Sequence, residues 1–148
     1  MSDGRDADRE HVAELQTIGH DECLTLLAAG AVGRLGLLVD GRPEILPVNY
    51  ALDGDVVVFR TGHGTVLNQA ALTVVAFEVD QFDESGRSGW SVLVQGVAQD
   101  IGDAIDANSE RLRALSLVSW APGSRNRWFR IRPERITGRR IRVAPAAL

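Results

Sequence analysis

At 148 residues, 45% hydrophobic and 24% charged, the chain has the length and balance of one globular domain with a real core, not of a disordered protein. Its net charge of −4 argues against general nucleic-acid binding, which needs a basic face. No run approaches the ~20 apolar residues of a membrane span, and one cysteine cannot close an internal disulfide.

Residues 1–12 are polar and charged and are expected to form a flexible tail, leaving 13–148 as a single domain. Met1-Ser2-Asp3-Gly4-Arg5-Asp6 lacks the apolar core of a signal peptide, so a cytoplasmic location is expected. His20 to Gly30 reads as a short helix, with acids in its first turn, Gly30 to close it, and Cys23, Leu26 and Leu27 on one face. Val32 to Val39 follows as a strand, and Asp40-Gly41 turns the chain into a second strand over Arg42–Leu52. Pro43 and Pro47 favour an edge position or a bulge there. Asp53-Gly54 makes the next hairpin turn, into the buried β-branched run Val56–Phe59.

That strand ends on Arg60-Thr61, and Gly62 and Gly64 let the following loop bend before Thr65 caps a short helix through Gln69 or Ala70. A guanidinium, a hydroxyl and helix N-terminal amides in one place suit an anion such as a phosphate. An ordinary hairpin with a surface arginine accounts for the same segment equally well.

Val74–Asp80 is another buried strand, Gln81–Gly89 a polar loop, and Trp90–Ala98 a strand with a bulge or bend at Gly96. Asp106–Val118 reads as a helix with Leu112, Leu115 and Val118 on one stripe, broken by Trp120-Ala121-Pro122-Gly123. Trp128–Arg132 alternates as a strand, Pro133-Glu134 turns, and Ile136–Val143 is the last extended segment. Six or seven hairpin-linked strands with two or three small helices make a mainly β protein whose antiparallel sheet closes into a barrel. The absence of βαβ alternation argues against a Rossmann fold.

Several residues invite chemistry and have plainer explanations. Cys23 stands three residues after His20, the spacing of a thiol–imidazole pair, but a small buried hydrophobe explains it better. His11, His20 and His63 have no metal-ligand spacing, and no metal site is expected. Asp80, Asp83 and Glu84 read as a solvated loop. The run Arg130, Arg132, Arg135, Arg139, Arg140 and Arg142 reads first as a solvated face and second as a cation source for an acidic ligand.

The ordered series Leu46-Pro47-Val48-Asn49-Tyr50, Phe59-Arg60-Thr61, Val79-Asp80, Gly89-Trp90-Ser91-Val92-Leu93-Val94-Gln95-Gly96, Trp120-Ala121-Pro122-Gly123 and Ile136-Thr137-Gly138-Arg139 resembles the pyridoxamine 5'-phosphate oxidase-like family. The resemblance covers about Leu15 to Arg142. It implies a six-stranded antiparallel split β-barrel of Greek-key type, a homodimer, and FMN bound in clefts between subunits. By position, Pro47, Val48 and Asn49 would line the flavin ring, and Arg60 and Thr61 would hold the phosphate. Thr65 and Val66 would follow in the same loop, and Trp90 and Ser91 would reach the cleft from the partner subunit. The exposed-looking Trp90 and Trp120 suit such an interface.

Two departures qualify the resemblance. Val66 stands where close relatives carry a phosphate-binding lysine, and Trp128–Arg135 does not match the substrate signature of the true oxidase. The expectation is therefore a flavin-dependent oxidoreductase on an unknown small molecule, not a true pyridoxamine 5'-phosphate oxidase. A non-catalytic flavin carrier or sensor stays open, as does a barrel using the deazaflavin F420 or haem in place of FMN. No residue is assigned as catalytic.

Overall fold

The structure, a computed structural model, describes residues 11–62, 73–120 and 127–145. Among the described residues, seven strands and two helices run β1 (His11–Ile18), α1 (His20–Ala28), β2 (Val32–Val39), β3 (Arg42–Asp53), β4 (Val56–Thr61), β5 (Val74–Asp83), β6 (Ser88–Asp100), α2 (Ala107–Arg113) and β7 (Arg127–Pro145). The sheet order is β1-β7-β4-β3-β2-β5-β6, and a further β6–β7 pairing closes six strands into an antiparallel barrel. β2, β3 and β4 are successive hairpin partners, while β5 returns to lie beside β2. That is the Greek-key order. β1 adds to the far half of β7, Leu15 opposite Ile141. It starts at His11, two residues before the expected domain boundary. Among the described residues no helix is long and apolar enough to cross a membrane.

The two tight turns have a local cause. Asp40 and Gly41 both take positive φ, 51° and 75°, as a I′ turn requires. Gly54 alone does so in the next hairpin, at 62°, as in a II′ turn. Pro43 and Pro47 sit in the part of β3 that pairs with β2 only, so their missing N–H groups break no second ladder.

Three expectations change. The polar run 81–89 is not a loop but the tip of the β5–β6 hairpin, with Asp83 opposite Ser88. The Asp83 carboxylate accepts from Ser85 N, Ser85 Oγ and Gly86 N at 3.1, 2.7 and 3.3 Å, and so satisfies the turn. Pro133-Glu134 does not reverse the chain, because β7 runs on for 19 residues and Glu134 is the extra residue of a bulge opposite Gln95 and Gly96. The second helix ends at Arg113, and residues 114–120 run on outside it. Leu117 is buried there with Val58, Ile101 and Leu112 in a small core between α2 and the outer face of β4.

The main core fills the barrel with Leu35, Tyr50, Phe59, Phe77, Val92, Val94, Phe129 and Ile131. Cys23 and Leu27 of α1 close one end. Tyr50 donates to Leu27 O, and burial pushes its phenol up to about 12. Cys23 is fully buried, which raises its thiol above the ordinary value.

Candidate functional site

Strand register assembles the site. Val32 of β2 lies opposite Asn49 of β3, Asn49 opposite Arg60 of β4, and Arg60 opposite Trp128 of β7. Directly paired residues share a face, so these four form one row across the sheet. The neighbours Tyr50 and Phe59 point into the barrel core, so the row faces outward. Residues 114–120 pass over this row as a strap.

Two side chains tie the strap down. Asn49 Oδ1 accepts from the Trp120 backbone N–H at 2.8 Å, and its Nδ2 donates to Ala31 O at 3.4 Å. Arg60 Nη1 donates to Leu117 O at 3.2 Å, while its guanidinium lies 5.3 Å from the centre of the Trp128 ring. Arg60 Nε is buried and has no hydrogen-bond partner among the described residues.

Between strap and sheet lies a cleft of about 210 Å³. β3 contributes Pro47, Val48 and Asn49, and β4 contributes Arg60 and Thr61. Val32, Ser119 and Trp120 complete its walls. Arg60 carries the only charge among these residues. An orphaned guanidinium N–H beside apolar walls suits a flat, largely apolar ligand that ends in an anion.

Of the nine residues expected at the site, five therefore meet in one cleft. Thr65 and Val66 lie outside the described residues. Trp90 and Ser91 stand elsewhere on the same chain, in a second cleft of about 260 Å³ with Phe82, Arg139 and Ile141. Trp90 leans on the main core, and Ser91 lies opposite Arg139.

Val32, Ser119 and Trp120 were not anticipated as lining residues. Val32 was readable by counting back from the Asp40-Gly41 turn. Ser119 falls between the expected helix and the Trp120-Ala121-Pro122-Gly123 break, and Trp120 is expected at a subunit interface rather than in this cleft.

Several other charged residues have structural partners. Arg34 bridges Glu78 and Asp80 at 3.1 and 2.8 Å on the outer face. Burial, then the neighbouring Asp80, pushes Glu78 up to about 7 against the pull of Arg34. The C-terminal arginines do not act as one face: Arg130 is buried and donates from Nε and Nη2 to Gln99 Oε1 at 2.9 and 2.7 Å, and Arg140 pairs with Glu22.

The comparisons agree with this geometry. The family model for pyridoxamine 5'-phosphate oxidase matches residues 19–140. An uncharacterized protein of Mycobacterium tuberculosis is 34% identical over 149 residues, covering 95% of each chain. The FAD binding protein from Mycobacterium smegmatis is 34% identical with a TM-score of 0.72, over 86% of this chain and 100% of that one. An FAD-binding protein from Mesorhizobium loti is 28% identical with a TM-score of 0.70, over 85% and 97%. A closed Greek-key barrel, a cleft built on the Pro47-Val48-Asn49 and Arg60-Thr61 segments, and a match spanning most of the chain place this protein in the pyridoxamine 5'-phosphate oxidase-like family.

Proposed function

We propose that the chain is a flavoprotein of the cytoplasm that acts as a flavin-dependent oxidoreductase on a small molecule, as a homodimer. One observation carries the flavin reading: Arg60, with a buried Nε that has no partner among the described residues, lies in the same cleft as Pro47, Val48 and Asn49. FMN and FAD share the ring and first phosphate that such a cleft would hold, and the relatives from Mycobacterium smegmatis and Mesorhizobium loti are FAD-binding proteins. Arg60 and Thr61 would take the phosphate, and Pro47, Val48 and Asn49 would flank the ring. Thr65 and Val66 belong to the same loop by sequence. A bound flavin supplies hydride and electron transfer, and the protein supplies position and exclusion of water.

Haem fits the described walls less well, since none of their side chains is His, Cys, Met or Tyr, the usual axial ligands. F420, which shares the phosphate and a flat ring, is distinguished only by identifying the ligand. A carrier or sensor role is the second reading. It is favoured by the lining itself, in which Arg60 is the only ionisable group and no residue offers general acid–base chemistry.

The dimer is supported by surface and volume. Leu15, Ile141 and Phe82 stand in one row across β1, β7, β6 and β5, with Gly89 between the last two. All three are exposed, Leu15 by 66% and Phe82 by 58%. Apolar rows of this kind mark association surfaces. A cleft of about 210 Å³ is also smaller than the roughly 300–1,000 Å³ of ordinary ligand sites. A second protomer bringing Trp90 and Ser91 to it would enlarge the site.

The test is the absorbance spectrum of the purified protein, with mass spectrometry of the released ligand and light scattering of the holoprotein. A flavin spectrum on a dimer, with NAD(P)H oxidation faster than free flavin supports, is the expected result. Flavin without turnover leaves the carrier. A protein that takes up no flavin overturns the reading.

A further inference from the structure

The geometry points to Trp120 as the residue that selects a dinucleotide flavin, its indole stacking on the adenine of FAD, an assignment that rests on the flavin reading above. Trp120 lines the cleft yet is 71% exposed, the most exposed tryptophan among the described residues. Its backbone is held in place, because the N–H donates to buried Asn49 at 2.8 Å. A large, flat, apolar face that is fixed at its root and open to solvent is a stacking platform. It stands in the same cleft as Arg60, so one ligand with a phosphate and a second ring system spans both.

Charge supports the same ligand. FMN ends in a phosphate monoester carrying about −1.5 to −2 at neutral pH. In FAD a similar total charge is spread over two phosphoryl groups, each an ester on one side and an anhydride on the other, with a single negative charge. Among the described residues the cleft offers one cation, Arg60, and one of its donors is already given to Leu117 O. The chain contains no lysine, and residues 62–73, which lead on from Thr61, hold no arginine either. The described walls, with one guanidinium, match a singly charged phosphoryl better than a dianion. The affinity that FMN would take from a second cation must come from elsewhere, and the exposed indole is placed to supply it to FAD alone.

The test titrates FAD and FMN into the apoprotein by fluorescence quenching, for the wild type, Trp120→Phe and Trp120→Ala. The wild type is expected to bind FAD more tightly than FMN by about tenfold, within the roughly five- to 150-fold range of base–aromatic stacking. Trp120→Ala should remove most of that difference and leave FMN within about twofold, and Trp120→Phe should fall between them. ADP, which has the adenine and diphosphate without the flavin ring, should compete with FAD on the wild type and fail on Trp120→Ala. Equal losses for both flavins would mean the indole touches their shared ring, and unchanged affinities would mean it touches neither. Conversion to monomer by light scattering would make Trp120 an interface residue. Each of these outcomes overturns the assignment while leaving the flavin reading intact. A wild type that binds neither flavin removes both.

Discussion

Asn49 and Arg60 are direct cross-strand neighbours on β3 and β4, and both hold the same strap, Asn49 at Trp120 N and Arg60 at Leu117 O. Two residues expected to face a ligand thus also build one wall of the cleft. Ligand contact and wall position are coupled through the same side chains.

Asn49→Ala removes the acceptor for the Trp120 N–H. The loss is expected to cost about 1 kcal/mol of stability, the scale of one part-buried hydrogen bond. Amide exchange at Trp120 should speed up by more than exchange in the β3–β4 ladder, and flavin affinity should fall as the wall loosens. Denaturant melts and amide exchange by NMR read these effects. An unchanged Trp120 exchange rate would show that the strap is held elsewhere.

Arg60→Ala should weaken flavins with a phosphate far more than riboflavin, which has none. A hydrogen bond to a charged group is worth roughly 1.5–3 kcal/mol, so FMN affinity should drop by about ten- to 150-fold. Riboflavin should lose only what the freed Leu117 carbonyl costs. Parallel titrations decide, and equal losses would make Arg60 purely structural.

Val66→Lys adds an ammonium where the family resemblance implies one. The position lies outside the described residues, and the expectation rests on the sequence pattern alone. FMN affinity should rise by about five- to thirty-fold, corresponding to about 1–2 kcal/mol. The gain should shrink with salt and be larger for FMN than for the singly charged phosphoryls of FAD. Titration of both flavins at low and high salt is the measurement.

Glu78 sets a pH dependence of stability. Its pKa is raised from 4.5 to about 7 in the folded protein, by burial first and Asp80 second. Between those values the native state binds more protons than the unfolded state, so stability falls as pH rises through that window. Glu78→Gln should flatten this part of the profile. Chemical melts across the window would show the same slope in both proteins if another group were responsible.

Gly96→Ala tests the β6–β7 bulge. A Cβ at this position would meet Arg132 O at 2.0 Å, a backbone atom that cannot turn aside. Forcing an atom into that space should destabilise by roughly 1–3 kcal/mol. A melt within error of the wild type would mean that β7 shifts freely at Pro133.

Much of the site was already determined by the sequence, because it rests on local rules. Asp40-Gly41 and Asp53-Gly54 specify tight hairpin turns. Tight turns fix register, so counting outward from each places Val32 opposite Asn49 and Asn49 opposite Arg60. The alternation of Val56–Thr61 then puts Phe59 in the barrel and Arg60 outside it. What tertiary structure decided depends on partners distant in the chain. Trp128 under Arg60 follows from β4–β7 pairing, and the end of α2 at Arg113 leaves Leu117 free to bury against Val58 and meet Arg60. The hydrophobic stripe through Val118 allowed the helix to continue. Burial of Leu117 and capture of its carbonyl across 57 residues of chain accompany the extended strap, and neither leaves a local trace in the residues themselves.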